Sequence, residues 1–199
     1  SAASNVTGIV TDTTRVATML HTYGALSFWD FAAAAPYVRI EMTPTDEPLA
    51  YKDAVFISPH KFIGGPSTPG VLVVRRDLVD NRVPTVPGGG TVTYVNYTEQ
   101  RYLTDPVHRE EGGTPAIVES IRAGLVFQLK EAVGVETIRA HEDDFLRRAV
   151  ESWKANPNIE ILGNLDAERL SIVSFVVLRP DGHYLHHNFV VALLNDLCG

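Results

Sequence analysis

Two short apolar runs, Ala54-Val55-Phe56-Ile57 and Gly70-Val71-Leu72-Val73-Val74, bracket the stretch Ser58-Pro59-His60-Lys61-Phe62-Ile63-Gly64-Gly65-Pro66. Each run is too short for a helix and is bounded by Ser, Pro or Gly, so each reads as a buried strand. An almost unbroken apolar strand needs cover on both faces, which points to a sheet flanked by helices. The turn between the runs holds a lysine beside Ser58 and His60. On these residues alone two readings stay open. Lys61 is a solvated charge in a glycine-rich hairpin loop, or its amine is held for covalent chemistry while Ser58, His60 and backbone N–H groups gather an anion.

The surrounding chain supplies the rest of an α/β pattern. Residues 12–23 read as a helix, with Val16, Met19, Leu20 and Tyr23 at helical spacing and Gly24 as its stop. Residues 25–30 form a short strand ending in Asp30, and residues 38–42 an extended segment. Residues 91–95 alternate with the period of a strand. A helix over 116–133 carries the stripe Ile117, Ile121, Leu125 and Leu129. A second, over 135–155, turns Ile138, Phe145, Ala149 and Trp153 inward. Strands over 159–162 and 172–178 and an amphipathic helix over 184–197 complete the chain. The change of pattern places a boundary near residues 112–135.

Composition narrows the partners. With 45% hydrophobic and 21% charged residues the chain is an ordinary globular protein. A formal net charge of −7 and no basic run argue against nucleic acid. No run is apolar and long enough for a membrane, and no signal peptide is read at Ser1-Ala2-Ala3-Ser4-Asn5. The lone cysteine, Cys198, excludes an intrachain disulfide framework and fits a reducing, cytoplasmic setting. Both ends read as internal to a longer protein.

Asp30, preceded by Trp29, ends one strand, and Lys61 follows the end of another. Open α/β sheets bind ligands at the carboxyl ends of their strands. Asp30 also suits a cap for Ala32-Ala33-Ala34, and both roles stay open. An acid and a desolvated lysine with Ser and His beside it form the constellation that a pyridoxal phosphate enzyme needs.

The stretches Trp29-Asp30-Phe31-Ala32-Ala33-Ala34-Ala35-Pro36-Tyr37-Val38 and Asp53-Ala54-Val55-Phe56-Ile57-Ser58-Pro59-His60-Lys61, with the glycines that follow, resemble the class V aminotransferase family, which includes the cysteine desulfurases. Arg109-Glu110-Glu111-Gly112-Gly113-Thr114-Pro115 is similar to that family's next landmark. The resemblance implies an α/β chain carrying part of the type I pyridoxal phosphate fold. That is a mainly parallel sheet with helices, plus a smaller α+β C-terminal region. It implies that residues 1–115 are the second half of the large cofactor domain, and that residues 116–199 are connecting helices and part of the small domain. Carried over by position, Lys61 is the Schiff-base lysine and Asp30 the partner of the pyridine nitrogen. Ser58 and His60 lie on the phosphate side. Thr114 reaches the phosphate of the neighbouring subunit in a homodimer, and Asn5 lies near the phenolic oxygen. Ala33 stands where many members carry a glutamine. The implied substrate is an amino acid. Desulfuration, transamination, epimerisation and lyase outcomes all begin alike. The alternative is a truncated scaffold that does not turn over substrate.

Weaker candidates include His183 and His187, spaced as two ligands on one helix face. Glu110-Glu111 and Gly88-Gly89-Gly90 lack the spacing that acid/base or phosphate-loop work needs. Glu142-Asp143-Asp144 with Arg147-Arg148 reads as a solvated helix face.

Overall fold

The computed structural model describes residues 1–44 and 46–199. The chain divides into two compact units, one of residues Thr13–Ala132, the other of Ser1–Asp12 with Val133–Gly199.

The first unit is built on the sheet β1 (Phe28–Asp30), β2 (Ala54–Ile57) and β3 (Val71–Val74), in that order. β1 and β2 run parallel, with Trp29 opposite Val55, and β2 and β3 run antiparallel, with Val55 opposite Val73. α1 (Thr13–Thr22) precedes β1 and buries Ala17. A hairpin of β4 (Val92–Val95) and β5 (Gln100–Tyr102) follows, then the short α2 (Pro106–Arg109) and the long α3 (Ile117–Val133).

Two expectations about packing change here. The sheet buries Trp29, Val55 and Ile57 on one face. Its other face leaves Phe28 56%, Phe56 45% and Leu72 55% exposed. Strand composition demands two covered faces, and within this unit one of them stays open. The stripe Ile117, Ile121, Leu125 and Leu129 is also exposed, at 46–62%. α3 instead buries Ala123 and Val126 and packs Phe127 on Phe62, ring centroids 4.9 Å apart. An apolar stripe reports what a helix can bury, not what lies against it.

In the second unit α4 (Val135–Lys154) precedes the antiparallel pair β6 (Ile159–Ile161) and β7 (Phe175–Val177), and α5 (His187–Cys198) closes the chain. Trp153 packs on Phe175 at 5.3 Å as expected, whereas Phe145 is 54% exposed. Residues 1–12 bridge to the segment before β7. Ile9 pairs with Arg169, and Leu170, wholly buried, donates its N–H to Gly8 O at 2.8 Å. The expected mainly parallel sheet is represented by the β1–β2 pair. Among the described residues the other strand pairings are antiparallel. Residues 38–42 form no strand.

Candidate functional site

Because β1 and β2 are parallel neighbours, their carboxyl ends share one edge of the sheet. Asp30 is the last residue of β1, and the next amide, Phe31 N–H, donates to Phe56 O of β2 at 2.9 Å. The Asp30 carboxylate turns back to accept from Ala32 N–H at 2.7 Å, which anchors the alanine-rich loop to the strand end. Asp30 thus acts as a local cap, and that role does not remove it from the sheet edge.

β2 runs into Ser58 and then a single 3₁₀ turn, Pro59–Lys61. Proline at the first turn position needs no N–H partner. Lys61 N–H closes on Ser58 O at 3.0 Å and Phe62 N–H on Pro59 O at 2.9 Å. The Ser58 hydroxyl makes no cap bond. Gly65 is required sterically, since a Cβ there would lie 2.0 Å from Pro59 O. Phe62, 5% exposed, is the buried anchor of the turn. Ser58 is half-buried, and His60, Lys61 and Asp30 are exposed. The lysine is therefore presented at the sheet edge rather than desolvated within this unit.

Fold geometry thus brings Asp30, Ser58, His60 and Lys61 to adjacent strand ends. Thr114 is exposed in the loop before α3, and Asn5 is exposed in a turn of the other unit. Arg109 at the start of the Thr114 loop is buried, and its guanidinium donates to Leu103 O and Thr104 O at 3.3 and 3.2 Å. His183 lies before α5 and His187 begins it, so the two histidines do not share a helix face. Among the described residues no group of three or more His, Cys, Asp or Glu is placed to hold a metal. Cys198 is exposed.

Sequence reading missed the opposite end of the sheet. Asp53, fully buried, accepts from Ser27 N–H at 2.7 Å and from Arg75 Nη1 at 2.9 Å. The His21 ring bridges Asp53 Oδ2 at 2.8 Å and the Leu49 carbonyl at 2.7 Å, stacked on Tyr51. Burial by itself would raise the Asp53 pKa. Donors from Ser27, His21 and Arg75 outweigh that and hold it below the ordinary aspartate value. This cluster ties α1, β2 and the end of β3 together. Its members lie far apart in sequence, so no local pattern signals it. Also missed was Lys130 of α3, whose Nζ donates to Ala35 O at 2.7 Å and Val38 O at 2.5 Å.

Residues 1–194 match the family model for aminotransferase class-V. The chain belongs to that family. A probable cysteine desulfurase from Halobacterium salinarum is 30% identical over 193 residues, covering 97% of this chain and 44% of that protein. A cysteine desulfurase from Dickeya dadantii is 29% identical over 196 residues, again 44% of its length. The solved apo cysteine desulfurase from Thermococcus onnurineus superposes with TM-score 0.78 at 25% identity, over 98% of this chain and 46% of that one. The chain therefore spans under half the length of these class-V relatives. Its fold is part of the type I pyridoxal phosphate fold.

Proposed function

We propose that this chain carries the lysine-bearing half of the cofactor site of a pyridoxal phosphate-dependent enzyme acting on an amino acid, in the manner of the cysteine desulfurases. The observation that supports it most is the placing of Asp30 and Ser58-Pro59-His60-Lys61 at the carboxyl ends of adjacent parallel strands. The residues present fit the cofactor. An exposed amine, a hydroxyl with no cap bond, an imidazole and a carboxylate share one sheet edge, and Gly65 lets the turn close tightly beneath them. Lys61 would hold the cofactor through its aldehyde carbon, with loss of water. Asp30 would keep the pyridine nitrogen protonated, and Ser58 and His60 would bind the phosphate. Asn5 and, across a homodimer, Thr114 would complete the contacts. When bound, the cofactor supplies an electron sink for charge developing at the substrate α-carbon. Lys61, once displaced by the substrate amine, would move the proton at that carbon. On this reading residues 1–115 belong to the large cofactor domain, and residues 116–199 to the connecting helices and part of the small domain.

A second reading is a scaffold without turnover. The exposure of Lys61 and Asp30 favours it for the 199-residue chain alone, because a solvated amine lacks the dry surroundings such chemistry uses. Incubation with pyridoxal phosphate, borohydride reduction and peptide mapping separates the two. A reduced label concentrated on Lys61 and lost in Lys61→Ala supports the cofactor site. Equal labelling of Lys61 and the exposed Lys154 overturns it.

A further inference from the structure

Lys130, half-buried, stands on the face of α3 that buries Ala123 and Val126, and its Nζ reaches the loop after Asp30. Two of its three N–H groups are taken by the carbonyls of Ala35 and Val38. Its Nζ also lies 5.7 Å from the centroid of the Phe62 ring. Phe62 is the residue after Lys61, and its N–H closes the 3₁₀ turn on Pro59 O. At the other end, the loop that Lys130 holds is tied to the Asp30 carboxylate through Ala32 N–H. Arg122, two turns earlier on α3, donates to Pro66 O at 2.9 Å, so the helix holds the segment that follows Lys61 at both Phe62 and Pro66.

We infer that Lys130 is a positioning residue that couples the Asp30 loop to the Lys61 turn and so sets the mutual placement of the two groups. This rests on the cofactor-site reading above. An apolar residue would fill the same space but leave the Ala35 and Val38 carbonyls without their donor. Burial pushes the Lys130 ammonium below the ordinary lysine pKa, so the charged form carries a desolvation cost at this place. The ammonium meets three partners, two carbonyls and a ring face. These contacts join segments that lie about a hundred residues and about seventy residues away along the chain.

The test compares Lys130→Met, which keeps the aliphatic stem, with Lys130→Arg, which keeps charge and donors. Hydrogen exchange without cofactor reads the bracing alone. In Lys130→Met the amides of Ala35, Val38, Lys61 and Phe62 should exchange together about tenfold faster. Lys130→Arg should restore them, with the β2–β3 amides unmoved in both. Unchanged exchange at those four amides, or uniform acceleration through the sheet, overturns the inference. With pyridoxal phosphate and borohydride, the ratio of label on Lys61 to label on Lys154 should fall about fivefold in Lys130→Met and recover in Lys130→Arg. Where the unmodified chain prefers Lys61, an undiminished ratio in Lys130→Met also overturns it. Coupled loosening of the four amides, combined with no preference for Lys61 in the unmodified chain, would uphold the bracing and overturn the cofactor-site reading.

Discussion

Single side chains divide into those that present chemistry and those that hold the sheet. Lys61 is exposed, so Lys61→Ala should leave the unfolding midpoint unchanged while abolishing the reduced label, as read by denaturant melts and peptide mapping. Asp53 behaves in the opposite way. It is fully buried against His21, Ser27 N–H and Arg75, and Asp53→Asn should destabilise the chain by about 3 kcal/mol at neutral pH, because Arg75 and His21 lose their carboxylate. Its pKa is depressed in the folded state, so its contribution is complete above the unfolded carboxyl value, about 4. That contribution is lost as pH falls through the lower folded value. Urea midpoints measured from pH 6 downward should therefore decline in acid for the native chain and decline less steeply for Asp53→Asn. A parallel decline in both would show that other carboxylates carry the acid sensitivity.

Local elements were legible where the pattern is short-range. The apolar runs around Lys61 are β2 and β3, and the 116–133 periodicity is α3 within a residue. The turn itself depends on contacts that can be tested singly. Gly65→Ala would drive a Cβ into Pro59 O, and opening the turn should cost about 2 kcal/mol and lower the Lys61 label. Phe62→Ala removes the buried anchor against Phe127 and should cost about 3 kcal/mol. Ile121→Ser, on the exposed stripe, should change the midpoint by less than about 0.5 kcal/mol in the same melts. A large loss from Ile121→Ser would show that something covers that stripe in solution. Strand limits were less legible at both ends. β1 is three residues, not six, and β7 three, not seven, since each ladder runs for only three paired residues.

At the scale of the molecule, the first twelve residues belong to the same compact unit as residues from Val133 onward. Gly8 marks that junction, with positive φ and with space for a Cβ closed by Ile172 O at 2.6 Å. Gly8→Ala should cost about 2 kcal/mol and speed hydrogen exchange at Leu170 and Val10. Unaltered exchange there would show that the junction tolerates the methyl group. Membership of the class-V family followed from residues read in order, Asp30 and then Ser58-Pro59-His60-Lys61. Strand and helix identity, the lysine turn and its glycines also came from local sequence, because φ/ψ preference and short-range periodicity are properties of neighbouring residues. What only the tertiary structure decided is which surfaces are covered: Lys130 half-buried and Ile121 exposed on one helix, Phe56 open beside a buried Val55, and His21, Asp53 and Arg75 in one cluster. Burial is set by partners distant along the chain, and a periodic stripe of apolar side chains carries no record of what packs against it.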